Sequence, residues 1–441
     1  MRQRRIAGRE AKALKRVAGV LVLFLLLLLA GVVGVWMLNL RVDDRSDHLP
    51  ITSPPAAGSA TRGAYLARAG NCMTCHTERG GAAYAGGRSI ETPFGSVYTS
   101  NLTPDAQTGI GRWSAAHFWR AMHHGRSRDG RLLYPAFPYT SYTQVTRTDS
   151  DAIFDYLRTL APVQRANTAH RLRWPYSTQA ALAAWRALYF TPGGYQPEPR
   201  QTAEWNRGAY LVQGLGHCAA CHSARNALGA SRALTDLSGG LIPMQNWYAP
   251  SLVSPAEAGV ADWDTGHVIA LLQTGATPRA TVLGPMAEVV LHSTQYLSAA
   301  DLAAMAVYLK ALPQAEPDTA PPVPVPVGAR VAERGAKLYG EHCVQCHGGQ
   351  GLGVPGAYPP LAGNRAVNLP VTANLVQVVL HGGYPPATTG NPRPFGMPPY
   401  ALLISDADVA AVLTHIRSSW GNRGQPVTEL AVTQQRGVTP P

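Results

Sequence analysis

Cys72-Met73-Thr74-Cys75-His76 recurs in kind at Cys218-Ala219-Ala220-Cys221-His222 and at Cys343-Val344-Gln345-Cys346-His347, and the three copies use all six cysteines of the chain. Two thiols two residues apart lie one helical turn apart and can form thioethers with the two vinyl groups of one porphyrin. The histidine that follows then faces the iron, and Cys-x-x-Cys-His is the attachment signature of a c-type haem. A redox dithiol requires no histidine in every copy, and a zinc site needs a second half that the cysteine count does not leave. The pattern therefore predicts three covalent haem c groups. Cys72, Cys75, Cys218, Cys221, Cys343 and Cys346 are the expected attachment points, and His76, His222 and His347 the proximal iron ligands. With no cysteine left for a disulfide, haem would do the stapling that disulfides do in many small exported domains.

The N-terminus adds a membrane constraint. Seven basic residues and Glu10 alone carry charge in the first sixteen positions, and Val17–Leu40 follows with twenty-four uncharged residues. Roughly 20 apolar residues cross a bilayer as a helix. Ala30-Gly31-Val32-Val33-Gly34 offers no convincing cleavage site, so residues 1–47 read as a basic cytoplasmic tail and a retained anchor rather than a cleaved signal. Basic flanks stay inside. The haem units are then expected on the periplasmic face of a bacterial inner membrane, the side on which haem is attached. The net charge is +12, and +6 remains without the first sixteen residues. Those basic residues are scattered among acidic ones, which excludes a nucleic-acid partner.

Beyond a polar, Pro-rich spacer at Asp43–Gly58, each haem motif is preceded by a repeat: Arg62-Gly63-Ala64-Tyr65-Leu66, Arg207-Gly208-Ala209-Tyr210-Leu211 and Arg334-Gly335-Ala336-Lys337-Leu338. Each reads as a short helix leading into the motif. Thr148-x-x-Asp151, Ser298-x-x-Asp301 and Ser405-x-x-Asp408 read as capped starts of closing helices. Middle helices are expected at Ser114–His124, Thr265–Thr274 and Thr372–His381, each ending at glycine. The fold class is thus mainly α, one N-terminal transmembrane helix followed by three tandem cytochrome c domains at 57–165, 201–313 and 328–425. A helical connector spans 166–200, in which Ser177–Phe190 reads as a brace between domains or as a docking surface for a partner or lipid. A Pro-rich linker spans 314–327, and 426–441 reads as a tail without periodicity.

The sixth iron ligand in a cytochrome c is usually methionine, from a loop after the middle helix. Met286, eleven residues after Gly275, and Met397, fourteen after Gly383, fit units two and three. Met305 has core spacing. Unit one breaks the pattern, because Phe137 stands twelve residues after Gly125 and cannot ligate iron. Met122, His123 and His124 remain, or the site is open.

Pro93-Phe94-Gly95, Thr99–Asp105, Gly109-Ile110-Gly111, Gly214–Cys218, Asn246–Leu252 and Ser419-Trp420-Gly421-Asn422 carry a more specific likeness. Over roughly residues 60–425 the chain resembles the three-haem cytochrome c subunits of membrane-bound bacterial dehydrogenases for gluconate, alcohol, sorbitol or aldehydes. In members with methionine at the position of Phe137, the place of Met122 is commonly another apolar residue. The reversed arrangement here makes Met122 the first candidate in unit one. A second departure is the N-terminal anchor, since several members attach through their C-terminal region. The resemblance implies an electron-transfer subunit of an oxidoreductase complex rather than a catalyst. Electrons would come from a catalytic subunit of flavin, pyrroloquinoline quinone or molybdenum type, with a small third subunit. They would pass to ubiquinone or a terminal oxidase. The competing expectation is a peroxidase- or oxidase-like haem enzyme with an open iron in unit one and His117, His123 or His124 as acid–base groups. A sensor would need a cytoplasmic signalling domain, and only the basic tail is available.

Overall fold

A computed structural model describes residues 2–40, 57–315 and 325–437. Most of the spacer Asp43–Gly58 and of the Pro-rich linker therefore lies outside the described residues. The molecule is mainly helical, and one helix, Arg2–Leu40, contains a stretch, Leu14–Met37, long and apolar enough to cross a membrane. None of its most apolar eighteen-residue window is buried against the rest of the protein.

One helix pair recurs three times. Ser59–Ala69 crosses Arg147–Arg158, Ala203–Tyr210 crosses Ala299–Lys310, and Ala329–His342 crosses Asp406–Ser418. The Arg-Gly repeat explains each crossing. A Cβ on Gly63 would lie 1.8 Å from the Ala152 carbonyl oxygen, on Gly208 2.0 Å from that of Ala304, and on Gly335 2.3 Å from that of Ala411. Only glycine permits backbones this close, whatever its cost in helix propensity. The arginine before each glycine pairs with an aspartate in the first turn of the closing helix. The pairs are Arg62–Asp149 at 2.6 Å, Arg207–Asp301 at 2.7 Å and Arg334–Asp408 at 2.5 Å. In unit one the cap is Thr146, whose hydroxyl accepts from Asp149 N–H, rather than the expected Thr148 with Asp151. Both frames read hydroxyl-x-x-acid, and the frame that sets its aspartate against Arg62 is the one used.

Units one and two interlock reciprocally. Tyr65 O–H donates to Asp301 of unit two, and Tyr210 O–H donates to Asp149 of unit one at 2.7 Å. Their cores run together, with Leu66, Val145, Leu215, Leu302 and Ala306 packed in one cluster. Unit three has Lys337 where the other two have tyrosine, and its core is separate. It touches unit two through Arg365–Asp262 at 2.9 Å and through Asn374, which exchanges two hydrogen bonds with the Tyr248 backbone.

The middle helices run Ala115–His124, Thr265–Thr274 and Ala373–His381, ending on Gly125, Gly275 and Gly382, all at positive φ. The connector helix is Gln179–Tyr189, capped by Thr178. It braces several parts. Gln179 bonds the Leu132 backbone in unit one, Trp185 donates to the Leu228 carbonyl in unit two, and Asn39 at the end of the first helix donates to the Ala183 carbonyl. Small antiparallel ribbons, Ser89–Thr92 with Gly95–Tyr98 and Gly240–Ile242 with Trp247–Ala249, flank the first two units. The tail is not featureless. Glu429–Arg436 is a helix capped by Thr428, with Val432 buried on unit three and Arg436 paired with Asp406.

Candidate haem sites

Each Cys-x-x-Cys-His motif forms a single helical turn after the leading helix, at Cys72–Cys75, Ala219–His222 and Val344–His347. No two of the six cysteines are joined in a disulfide. Burial, then the neighbouring cysteine, pushes Cys72 and Cys218 up to about 12 and Cys343 to about 11. Among the described residues no three His, Cys, Asp or Glu side chains group closely enough to hold a metal ion.

The three histidines share one setting. His76 Nδ1 lies 2.7 Å from the Ser100 carbonyl oxygen, His222 Nδ1 2.7 Å from that of Pro250, and His347 Nδ1 3.1 Å from that of Pro359. A carbonyl can only accept, so Nδ1 carries the proton and Nε2 keeps the lone pair a metal takes. Loss of water around each ring holds all three histidines below their ordinary range, outweighing the carbonyl that favours the charged form. Neutral imidazole is the ligating form.

The histidine backbone is held in a matching way. Its carbonyl accepts from the N–H of Gly86, Gly239 or Gly353, at 2.8, 2.8 and 2.9 Å, and all three glycines have positive φ. A Cβ there would overlap the segment that supplies the ring's carbonyl, 2.6 Å from Ser100 O in unit one and 2.7 Å from Pro359 O in unit three. Leucine N–H groups complete the clamp, Leu102 to Tyr84 O, Leu252 to Leu237 O and Leu361 to Gly351 O. None of these partners was predicted. Their sequence trace lay within the runs Thr99–Asp105 and Asn246–Leu252 and the Gly-rich stretch Gly348–Gly353. The Gly-rich stretch after His347 is the tight loop leaving the motif, with Gly351 against Trp420.

The candidate sixth ligands sit differently. Met397 is pinned by two backbone hydrogen bonds with Gly383, 2.8 and 3.0 Å long. Met286 stands in the first turn of Pro285–His292, packed against the joint core of units one and two. Met122 is 4 % exposed in that same core, with Phe137 and Cys72 at its edge. His117 serves in the cap of its own helix, bonding Ser114, while His123 stacks on Trp119 with ring centroids 4.2 Å apart. Between the first two motifs, Tyr142 O–H donates to the Gly70 carbonyl, and its ring meets His217 edge-on at 5.6 Å. Arg88 reaches the Thr74 carbonyl inside the first motif and Glu288 of unit two.

A donor set of two thiols and a neutral, oriented imidazole, repeated with the same clamp, fits covalent haem. The cytochrome c family model matches residues 60–161 and 332–420. The cytochrome c subunit of alcohol dehydrogenase (quinone) from Gluconacetobacter polyoxogenes is 38 % identical over 409 residues, 89 % of this chain and 87 % of that protein. The gluconate 2-dehydrogenase cytochrome c subunit of Pantoea cypripedii is 34 % identical over 411 residues, 90 % of this chain and 91 % of its own length. A nicotinate dehydrogenase subunit of Pseudomonas putida is 42 % identical over 405 residues, 88 % of this chain, but the chain spans only 33 % of that longer protein. The chain belongs to the family of cytochrome c subunits of bacterial dehydrogenases, which carry covalently bound haem c and transfer electrons.

Proposed function

We propose that this chain is a membrane-anchored, three-haem electron relay. It would take electrons from a dehydrogenase catalytic subunit on the periplasmic face and pass them to ubiquinone or a terminal oxidase. The observation that carries the reading is the threefold histidine clamp, in which Ser100, Pro250 and Pro359 orient three equivalent imidazoles. The second unit falls outside the two stretches the family model matches, yet it repeats the glycine crossing, the arginine–aspartate pair and the clamp. That repetition supports three tandem cytochrome c domains rather than two.

Bound haem would supply reversible one-electron transfer at iron. The chain's own residues would fix and tune it. Cys72 and Cys75, Cys218 and Cys221, and Cys343 and Cys346 would hold the porphyrins. His76, His222 and His347, together with Met122, Met286 and Met397, would supply the ligands to iron. A carbonyl on each Nδ1–H raises ligand basicity and fixes the ring plane, two levers on potential. The Tyr65–Asp301 and Tyr210–Asp149 bonds hold the first two sites in fixed register. The likeness to subunits named for alcohol and gluconate dehydrogenases supports a dehydrogenase as partner. A small third subunit belongs to the same proposal.

The test is a count. Pyridine haemochrome absorbance of the purified chain should give three haems per polypeptide, and replacing both cysteines of any one motif by serine should give two. A count of two in the native chain would remove the relay as drawn.

A further inference from the structure

We propose that the connector helix Gln179–Tyr189 lies on the lipid headgroup layer and seats unit one on the bilayer surface. The proposal rests on the reading of the first helix as a membrane anchor. That helix does not end clear of the protein. Two residues past the end of its apolar span at Met37, Asn39 Nδ2 donates to the Ala183 carbonyl at 3.1 Å. Arg186 Nε donates to Asn39 Oδ1 at 3.2 Å, and Arg126 Nη2 to the Asn39 carbonyl at 2.9 Å. The middle of the connector helix is thereby fixed at the level where the anchor leaves the hydrocarbon.

Its outer face suits that level. Ala180, Ala184, Ala187 and Leu188 fall at helical spacing on one stripe, and Leu188 is 69 % exposed. The only charged residue of the helix, Arg186, is buried, with its guanidinium on the His124 carbonyl and Asn39. A helix face turned to water ordinarily carries charge, and this one carries none. Just before the helix Trp174 is 82 % exposed, and on the anchor Trp36 is exposed one turn before Asn39. Tryptophans at both places match the aromatic belt of a bilayer interface. The continuity of this face with the anchor selects lipid over a protein partner as its occupant.

Because haem would occupy all six native cysteines, a single introduced cysteine can be labelled uniquely. Full-length Trp174→Cys, Leu188→Cys, Phe24→Cys and Lys337→Cys variants, each checked for an unchanged haem spectrum, are labelled with bimane. They are then reconstituted into phosphatidylcholine–phosphatidylglycerol vesicles. The readout is the ratio of quenching by brominated acyl chains to quenching by aqueous iodide, in which any haem quenching cancels. Positions 174 and 188 are expected to show a ratio several-fold above that of position 337. If both match position 337 while position 24 reads as lipid, the anchor stands and the seating of the helix is refuted. Lipid quenching at only one of the two refutes the seating as well. If position 24 also reads as water, the membrane reading fails and the proposal with it.

Discussion

Gly63→Ala should destabilise unit one although alanine is the better helix former. The new methyl carbon would lie 1.8 Å from the Ala152 oxygen, 2.5 Å from its carbonyl carbon and 2.9 Å from Tyr156 Cβ. A carbon rests about 3.3–3.6 Å from a carbonyl oxygen, so the helices would have to part by about 1.5 Å. The obstacle is backbone in a helix and cannot swing aside. Leu66, Ile153 and Leu157, all fully buried at this crossing, would lose contact together. Overpacking costs about 1–3 kcal/mol, and a rigid obstacle places this case near 3; the propensity gain returns about 1 kcal/mol. The expected net loss is about 2 kcal/mol. Guanidinium unfolding followed in parallel by far-ultraviolet circular dichroism and haem absorbance measures it. Gly340→Ala is the matched control, since that glycine is also within a helix and has nothing within 4 Å of its Cβ position. It should stabilise unit three by about 0.5–1 kcal/mol. The reasoning is refuted if both substitutions stabilise, because the close crossing would then not exist.

Tyr65→Phe and Tyr210→Phe should each cost about 1–2 kcal/mol by withdrawing a donor from a largely buried carboxylate; unchanged thermal midpoints for both would mean that the interlock adds nothing. Burial pushes the Asp301 carboxyl up, but its bonds with Arg207 and Tyr65 outweigh this and hold it below the ordinary range. Its stabilisation is therefore full above the unfolded value of about 3.9 and lost as pH falls through the lower folded value. An acid titration of stability should flatten below about pH 4 in Asp301→Asn, and an identical acid limb would dismiss that carboxylate as its source. Methionine ligation raises haem potential, so Met286→Ala and Met397→Ala should each lower one potential in a redox titration. Met122→Ala should let the reduced protein bind carbon monoxide at one haem, and binding by the unmodified protein would rule Met122 out as a ligand.

The Cys-x-x-Cys-His turns and the middle helices were legible because their information is local. Thr265–Thr274 has its helical period, its cap at Asp264 and its stop at Gly275 all within one window. The histidine clamp was not legible, because its parts sit at different distances in each unit. The clamping glycines follow the histidine by 10, 17 and 6 residues, and the accepting carbonyls by 24, 28 and 12. Only the fold aligns them. The Arg-Gly repeat was visible as a pattern, but its cause lay in helices some 75 to 95 residues away in sequence. The helix Glu429–Arg436 escaped because two turns holding one fully buried residue, Val432, leave no period to detect.

Asp149 and Asp301 each take an arginine from their own unit and a tyrosine from the other, so neither carboxylate is satisfied within a single domain. The first two units are then self-sufficient only as a pair, and a cut between 166 and 200 would strand half of each carboxylate's partners. A cut within 316–324 separates Arg365 from Asp262 but leaves Asp408 with Arg334 of its own unit. Lys337, turned to water beside Glu341, leaves the third unit a replaceable module on a fixed pair.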